Sequence, residues 1–377
     1  MKKLIAVLFS AFAASAFAGN TYYADASVEV SGDGLTPETA KKTIQEAVDL
    51  CTGNGHTVMV AEGLYNEGVA TNDTIKARVY IKYRTNLIAS GRKEKTIITG
   101  EFDKTSDTGI GSEAVRGVYF YYTGSGTAGK RTAGSIIKGF TICNAATETG
   151  GSGGGLYLWM SYGADCIVSN CVAKRAGGIY QGTVARFLVA DCASGGSSEY
   201  GTASQGTTYL NSIIARQRGS ATTFYANCTL YNCTIAGNNG SYFTYSGTPK
   251  LINSIYTDNA NQAFHSSYKG VVSNSVIATG TTYVNTQSDN VHYSTTAYGF
   301  AAPAIGDWRP SAEMGAANVG DAELLKLFDL PDDLEDQRYL DYYGNVIPKS
   351  GTIICGAVQE ISTATSLVTF SGSAHDG

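Results

Sequence analysis

Two arginines occupy equivalent positions in a repeated sequence pattern and could act on one substrate. Arg175 lies five residues after Asn170, and Arg216 lies five residues after Asn211. If these repeats stack two layers apart, the two arginines are about 10 Å from each other and can line one cleft. A polysaccharide lyase needs a base that removes the proton beside a uronate carboxylate and a cation that stabilises the developing charge. Arg175 and Arg216 are therefore candidate catalytic residues, although solvated turn residues would show the same spacing.

Large aromatic residues share a second fixed position, eleven residues before the polar residue of a repeat. They are Trp159, Tyr180, Tyr200 and Tyr242. If they face outward, these rings line a groove suited to stacking on sugar rings, so they are candidate substrate-binding residues. If they face inward, they form an aromatic stack in the core. The spacing is compatible with both orientations.

The acidic residues give little support to glycoside hydrolysis, which usually needs two carboxylates on either side of one bond. Residues 135–280 contain five acids and no obvious stacked pair: Glu148, Asp165, Asp191, Glu199 and Asp258. If the chain is an enzyme, a lyase is therefore favoured over a hydrolase.

A six-residue motif positions these side chains. It reads apolar, any residue, Asn or Asp, small, any residue, usually apolar, as in VSNCVA and LYNCTI. The polar residue recurs at intervals of 21, 20, 21, 21 and 21 residues, at Asn170, Asp191, Asn211, Asn232, Asn253 and Asn274. A solenoid coil of this length can hold short strands that pair in parallel with the next coil. The pattern predicts an all-β fold, in which residues 135–280 form about seven coils of a single-stranded right-handed parallel β-helix.

The columns of the motif indicate which side chains face inward. The residue two positions before the polar one is Val168, Val189, Tyr209, Leu230, Leu251 or Val272, so this column is predicted to be interior. The polar residues are predicted to form an asparagine ladder at one corner, with stacked amides hydrogen-bonded from coil to coil. A leucine-rich repeat is excluded, because residues 135–280 contain only six leucines.

Cysteines also recur at fixed positions. Cys166 and Cys228 lie four residues before a polar residue of the motif, whereas Cys171, Cys192 and Cys233 lie one residue after it. We predict a stack of buried free thiols, because cysteine packs as a small hydrophobic residue. Local disulfides, Cys166 with Cys171 or Cys228 with Cys233, are the alternative. The sequence shows no group of four clustered ligands for a structural metal.

The first eighteen residues have the form of an export signal. Lys2 and Lys3 precede the apolar run 4–12, and residues 16–18 form an A-x-A cleavage site, so the mature chain is expected to begin at Gly19. Elsewhere the sequence has no stretch long and apolar enough for a membrane span. We therefore expect a secreted protein, in the periplasm, on the outer surface or outside the cell.

An N-terminal helix is predicted to close the first coil. Thr36 is a suitable N-cap and Pro37 a suitable first helical residue. Four apolar residues would lie on one face of this helix and cover the open end of the solenoid: Ile44, Ala47, Val48 and Cys51.

The whole chain is predicted to hold one β-helix domain between two caps. Its composition, with 45 Gly, 25 Tyr and 16% charged residues, favours turns and pleated surfaces over helices. The net charge of −5 is small and the basic residues are scattered, so nucleic-acid binding is excluded. The expected segments are a signal peptide at 1–18, an N-terminal cap at 19–56 with a helix at 37–51, the β-helix at 57–305, a C-terminal capping segment at 306–360 and a tail at 361–377.

Both ends of the chain resemble a known family. The run YYADASVEVSGDGLTPETAKKTIQEAV followed by TVMVAEGLYNEG is similar to the opening of bacterial secreted right-handed β-helix proteins of the pectin-lyase-like superfamily. The C-terminal residues that resemble the closing segment of that group are Asp341, Gly344, Gly351, Gly356, Ala357 and Glu360. The resemblance implies the β-helix fold, whereas members of the superfamily include lyases, hydrolases, esterases and adhesive proteins.

The resemblance bears on cofactors as well. Pectate lyases of this superfamily hold Ca²⁺ with clusters of Asp residues, and the coils show no such cluster, nor the Asn-Thr-Asp, Asp-Asp and Gly-His-Gly pattern of polygalacturonases. The acidic group Asp332, Asp333, Glu335 and Asp336 could bind Ca²⁺, but it lacks a fixed ligand spacing and is typical of a solvated loop. No cofactor is evident from the sequence.

Two functions fit these patterns. The first is a secreted β-helix protein that binds or acts on an extracellular polysaccharide, as a binder or a uronate lyase. The alternative is a non-catalytic adhesive solenoid on the cell surface, favoured by the scarcity of charge in the coils. An enzyme should show a cluster of cations and carboxylates on one exposed face, whereas a structural solenoid should show ladders of Asn, Ser and Thr there.

Overall fold

The computed structural model describes most of residues 19–361. The described residues are 19–72, 74–120, 134–195, 200–219, 222–240, 242–244, 246–260, 270–278, 287–289, 291–294, 300–302, 306–310 and 318–361. The predicted signal peptide, Glu199 and all but the first residue of the predicted tail lie outside them.

Short strands stack in register into three long sheets that run the length of the molecule. Sheet A has eleven strands: Thr21–Ala24, His56–Val60, Thr85–Ala89, Ile136–Lys138, Tyr162–Ala164, Thr183–Ala185, Thr208–Leu210, Thr229–Tyr231, Lys250–Ile252, Val271–Ser273 and Gln287–Asp289. Sheet B has eleven: Gly63–Tyr65, Thr96–Thr99, Thr141–Ala146, Ile167–Ala173, Leu188–Ala190, Ala193–Ser194, Ile213–Ala215, Thr234–Ala236, Ile255–Thr257, Val276–Ala278 and His292–Ser294. Sheet C has seven: Ala70–Asn72, Ile75–Ile81, Arg116–Phe120, Leu156–Leu158, Ile179–Tyr180, Ser204–Gln205 and Phe224–Tyr225.

Every pairing in sheets A and B is parallel, and in sheet C only Ala70–Asn72 runs antiparallel to its neighbour among the described strands. Each coil passes from sheet C to sheet A to sheet B before the next coil begins. This arrangement is a parallel β-helix, as the repeat predicted. The residues of the predicted interior column are all fully buried, but they lie in two sheets: Val168 opposite Val189 in sheet B, and Tyr209, Leu230, Leu251 and Val272 in sheet A.

At two of the corners between sheets, each coil turns at a residue in a left-handed conformation. The first corner joins sheet A to sheet B, and its rungs are Gly139, Asp165, Arg186, Asn211, Asn232, Asn253 and Asn274. The second corner follows the sheet B strand, and its rungs are Asn144, Asn170, Asp191, Arg216, Gly237 and Asp258. Asn, Asp and Gly tolerate this conformation better than other residues, which explains their recurrence at both corners.

The predicted single asparagine ladder is wrong, because its members belong to both corners. Ala185 pairs with Leu210, which places Arg186 opposite Asn211, 25 residues later. Ala190 pairs with Ala215, which places Asp191 opposite Arg216. The step of 20 residues from Asp191 to Asn211 therefore crosses from the second corner to the first instead of joining two coils.

In the second corner, the rung in the coil before Asn170 is another asparagine. Cys143 pairs with Ser169 and Ala145 with Cys171, so the partner of Asn170 is Asn144. The Asn170 amide nitrogen donates to the Asn144 Oδ1 at 2.7 Å.

A buried amide ladder does exist, one residue after the second corner. Asn238 Oδ1 accepts a hydrogen bond from the Gln217 backbone at 3.0 Å, and Asn259 Oδ1 accepts one from the Asn238 backbone at 3.1 Å. Asn238 Nδ2 donates to Asn259 Oδ1 at 2.8 Å and to the Ile214 carbonyl at 3.2 Å. Gln217, Asn238 and Asn259 thus satisfy interior polar groups where the strands bend.

The asparagines of the first corner point outward and hold residues 318–361, here called the C-terminal strap. Asn211 Nδ2 donates to the Leu340 carbonyl at 2.7 Å, and Asn253 Nδ2 donates to the Asp321 carbonyl at 2.7 Å. In the strap, Phe328 packs its ring against Tyr231 on the outer face of sheet A. The C-terminal segment was expected to close the end of the solenoid, but the described strap lies along its side.

The remaining described elements, in the strap and in the residues that precede it, are short. They include 3₁₀ helices at Ala322–Leu327 and Asp332–Tyr339. Two antiparallel pairs of strands join Phe300–Ala302 to Asp307–Pro310 and Gly320–Asp321 to Thr352–Ile353.

The predicted N-terminal helix at 37–51 is wrong as one element. The chain forms a 3₁₀ helix at Pro37–Thr39 and an α-helix at Ile44–Asp49, each begun by a threonine capping box. Between them Lys41 is extended and bridges Ala24, so this stretch pairs with the first strand of sheet A and interrupts the helix. The four apolar residues predicted to cover the first coil, Ile44, Ala47, Val48 and Cys51, are buried against the interior core.

All eight cysteines are free, and neither predicted alternative disulfide is formed. The predicted cysteine columns, like the predicted asparagine column, combine residues from different corners. Cys171 lies opposite Cys192 after the second corner, whereas Cys166 and Cys233 follow the first. Burial raises the pKa of the Cys166 thiol to about 12 and that of Cys51 to about 11.

Replacing Asn238 with Ala should destabilise the fold, because it leaves the Gln217 N–H, the Ile214 carbonyl and part of Asn259 without partners. Each buried polar group without a partner costs about 1–3 kcal/mol, so the free energy of unfolding should fall by about 2–4 kcal/mol. Chemical denaturation measures the change, with the exposed neighbour Asn239→Ala as the control. Equal stability of the two variants would contradict the interior ladder.

Free thiols and disulfides are distinguished by alkylation without a reductant. After unfolding in denaturant, the protein should take up eight alkyl groups, one for each cysteine. In the folded protein alkylation should be slow, because burial blocks access and raises the thiol pKa, which lowers the fraction of reactive thiolate. Mass spectrometry reads both states, and an uptake of six or fewer after unfolding would show that disulfides had formed.

Candidate functional site

Four tyrosines stack on the outer face of sheet C in successive coils. The set is Tyr80, Tyr119, Tyr157 and Tyr180, here called the tyrosine ladder. Their ring centroids are 5.4, 4.4 and 4.8 Å apart, and the interplanar angles are 5°, 26° and 22°. The residues on either side of Tyr80, Tyr119 and Tyr157, and Ile179 before Tyr180, face the core, as strand alternation requires. The ladder is therefore an outer column of rings that follows the coil repeat.

The stacking determines which parts of the tyrosine rings a ligand can contact. Each ring within the stack covers the face of its neighbour, so its edge and hydroxyl are what remain for a ligand. Tyr80 and Tyr119 are only 4% and 5% exposed, and the hairpin that begins at Ala70 packs against them. Burial also raises the pKa of the Tyr119 phenol. Tyr157 and Tyr180 are half-buried, so the ladder is accessible from Tyr157 onward.

The ladder is interrupted after Tyr180. Tyr180 pairs with Gln205, and Gln205 pairs with Tyr225 in the following coil. One aromatic rung is thus replaced by glutamine, and Tyr180 and Tyr225 are two coils, or about 10 Å, apart. We call Tyr180, Gln205 and Tyr225 the ladder gap.

Arg175 lies at the rim of this gap. Its Cζ is 4.6 Å from the centroid of the Tyr200 ring, and its Nη2 donates to the Tyr200 hydroxyl at 3.2 Å. Tyr200 in turn meets Tyr225 edge to face at 5.7 Å and 77°. Within the described part of the chain, Arg175 forms no ion pair with a carboxylate.

Two buried polar atoms at the gap lack hydrogen-bond partners among the described residues. They are Arg175 Nε, a donor, and Gln205 Oε1, an acceptor. Unpaired buried atoms also occur away from the gap, at Arg116 Nε, Arg186 Nε and Tyr209 Oη, so the contacts between Arg175 and the tyrosine rings, and not these atoms, mark the candidate site.

A second arginine near the ladder is paired with a carboxylate of the protein. Arg116 Nη2 pairs with both carboxylate oxygens of Glu148, at 2.7 and 2.9 Å, and its guanidinium lies 5.3 Å from the Tyr119 ring. Its role is to hold the turn that contains Glu148, so Arg175 is the better candidate for ligand binding.

The structure does not bring the two predicted catalytic arginines to equivalent positions. Arg216 is a rung of the second corner, whereas Arg175 lies beyond that corner, at the approach to sheet C. Arg216 forms two bonds to Asp191, at 2.8 and 3.1 Å, and lies 5.8 Å from the Trp308 ring. The predicted equivalence of Arg175 and Arg216 is therefore wrong. It was measured from Asn170 and Asn211, which belong to different corners.

The predicted aromatic column is also wrong as a single column. Of its four members only Tyr180 belongs to the ladder, and Tyr200 lies at the rim. Trp159 is in a turn and is 37% exposed. The Tyr242 carbonyl accepts from the Thr223 backbone, which places Tyr242 before the sheet C position of Tyr225.

The sequence patterns did not identify five residues of this site: Tyr80, Tyr119, Tyr157, Gln205 and Tyr225. A signal was present, because most of the tyrosines follow an apolar residue and precede another, in VYI, VYF and LYL. Strand alternation in such triplets predicts one outward ring between two inward side chains.

No metal site is evident in the described ranges, where no group of three or more His, Cys, Asp or Glu could hold an ion. The acidic group proposed for Ca²⁺ lies in the 3₁₀ helix Asp332–Tyr339, where Glu335 binds Arg338 at 2.6 Å. This bond lowers the pKa of the Glu335 carboxyl. Among the residues with described positions, no helix is long and apolar enough to cross a membrane.

Comparisons with known proteins give a distant structural likeness. No protein family model matches the chain, and no curated protein matches it. It is similar to the crystal structure of pectate lyase Pel9A, at 11% sequence identity and a TM-score of 0.39, over 74% of this chain and 77% of that one. A likeness this distant says nothing about the ligand or reaction of this chain.

Proposed function

We propose that this chain is a secreted protein that binds an extracellular polysaccharide on the outer face of sheet C. The contact site is the accessible end of the tyrosine ladder together with Arg175. The observation that carries the proposal is Arg175, whose guanidinium lies 4.6 Å from the Tyr200 ring beside partly exposed tyrosines and forms no ion pair with a described carboxylate.

The chemistry of the site matches the chemistry of sugars. Tyrosine offers an apolar ring and a hydroxyl, and pyranose rings present apolar C–H faces and hydroxyls. The guanidinium of Arg175 has the geometry and charge to bind a carboxylate. Uronate polymers are therefore the favoured class over neutral ones.

Lyase activity is the second candidate function, and it now depends on one arginine. Arg175 would act beside the uronate carboxylate, either as the base or as the cation that stabilises the developing charge. Arg216 is neutralised by Asp191 at another position of the coil, so it is not placed to supply the other role. Binding is for this reason the stronger proposal.

The adhesive solenoid of the alternative proposal would present ladders of Asn, Ser or Thr to its partner. The outward asparagines Asn211, Asn232 and Asn253 are fully buried. Asn211 and Asn253 bind the C-terminal strap through Leu340 and Asp321, and Asn232 donates to the Asn211 Oδ1 at 2.8 Å. These rungs are not available as an adhesive surface.

Uronate binding should depend on Arg175. Isothermal titration against polygalacturonate, alginate and a neutral glucan should detect binding to a uronate polymer, and Arg175→Gln should weaken it about ten- to a hundredfold, because a bond to a charged group contributes about 1.5–3 kcal/mol. The exposed neighbour Lys174 supplies the matched control Lys174→Gln, which should leave affinity unchanged.

Two results would count against the proposal. They are absence of binding to every polymer and equal affinity of the Arg175 and Lys174 variants. The same mixtures, with and without Ca²⁺, test the lyase candidate through the ultraviolet absorbance of unsaturated uronate products. No rise in absorbance would exclude lyase activity on these polymers and leave binding.

A further inference from the structure

We infer that a cavity beside the N-terminal helix is a second ligand site and that it binds a free sugar acid, a single uronate ring. The cavity lies between the end of the helix Ile44–Asp49 and the chain that leaves the sheet C strand Ile75–Ile81. Neither Arg175 nor an accessible rung of the tyrosine ladder lines it. The inference therefore goes beyond the proposed function and does not depend on it.

The cavity has the size of one sugar ring. Its volume is about 210 Å³, and a cavity of about 150 Å³ is enough to hold benzene. One six-membered ring with its hydroxyl groups therefore fits. A ring within a polymer has a neighbour on each side, for which this volume has no room, so a long uronate polymer should leave the cavity free.

Two side chains of opposite charge line the cavity without pairing with each other. Lys82 and Asp49 are both exposed, and within the described chain neither forms an ion pair. Lys82 Nζ lies 5.9 Å from the centroid of the Tyr80 ring. Asp49 Oδ1 accepts one hydrogen bond, from Gln45 Nε2 at 2.8 Å. A ligand with a carboxylate for Lys82 and hydroxyl donors for Asp49 would bind to both.

The protein positions the Asp49 carboxylate before a ligand binds. Gln45 Oε1 accepts from the Tyr80 backbone N–H at 2.7 Å, and Gln45 Nε2 donates to the Tyr80 carbonyl at 3.3 Å. The Gln45 amide thus joins the helix to the strand and, through its bond to Asp49, fixes one wall of the cavity. Groups that are already positioned lose less conformational entropy on binding, which favours affinity.

A sugar acid also matches two further residues that line the cavity. Tyr83 is 44% exposed, so its ring can pack on the C–H face of a pyranose. The Thr52 hydroxyl can donate to a sugar hydroxyl or accept from one. A free amino acid also carries a carboxylate and a donor, but it lacks the ring face and the hydroxyls that Tyr83 and Thr52 can contact. A uronate is therefore the better match.

Binding of free uronates should depend on Lys82. Isothermal titration of the full chain with glucuronate, galacturonate and mannuronate should detect binding of at least one of them. Lys82→Gln should weaken it at least about tenfold, because it removes the charge that holds the carboxylate. The exposed Lys250 on sheet A supplies the control Lys250→Gln, which should bind as the native chain does. Thermal unfolding verifies that both variants fold.

Two further variants separate this cavity from the site at Arg175. Arg175→Gln should keep full affinity for the free uronate. Thr52→Trp, which fills the cavity without removing a charge, should weaken binding as much as Lys82→Gln does.

Four results would overturn the inference. They are absence of binding by every free uronate, full affinity of a folded Lys82→Gln protein, loss of binding in the Arg175 variant, and tighter binding of glutamate than of any uronate. If uronate polymers bind but free uronates do not, the proposed function stands and this inference fails. If free uronates bind and polymers do not, the reverse holds.

Discussion

The structure depends on the requirement that each coil lies in register on the next at the spacing of hydrogen-bonded strands. To meet it, the chain must turn sharply between sheets without leaving polar groups unsatisfied. Single left-handed residues make the turns, and the buried amides of Gln217, Asn238 and Asn259 satisfy the backbone beside one of them. These corners fix the register of every other column.

Register also creates the site. Because equivalent positions stack, an outward tyrosine repeated in sheet C becomes a column of rings, and one change in that column becomes a gap of defined width. Gln205 is such a change between Tyr180 and Tyr225. The same stacking places Arg175 beside Tyr200, so the cation and the gap adjoin each other.

The sequence predicted the fold because the motif reflects a structural requirement of each coil. A small polar residue must adopt a left-handed conformation at the corner, and its apolar neighbours must face the core. It did not distinguish the two corners, because both have the same need. Asp191 and Asn211 follow each other after 20 residues only because one belongs to each corner, and every column measured from them inherited the error.

The site was less predictable for a further reason. Arg175 and Tyr180 were identified by type, but their surroundings depend on registers that long turns shift by four or five residues. The position of Gln205 opposite Tyr180 follows a coil of 25 residues, which no periodic pattern anticipates. The N-terminal helix shows a similar limit, since the bridge from Lys41 to Ala24 outweighs helix propensity along that stretch.

Hydroxyl-radical footprinting of the full chain, with and without a uronate polymer, tests the central claim most directly. Mass spectrometry reports the oxidation of each tyrosine. Tyr180, Tyr200 and Tyr225 should be protected by the polymer, whereas Tyr83 and Tyr343, which are 44% and 41% exposed elsewhere, should be oxidised as before. Protection of Tyr83 or Tyr343 with none at the ladder gap would contradict the account.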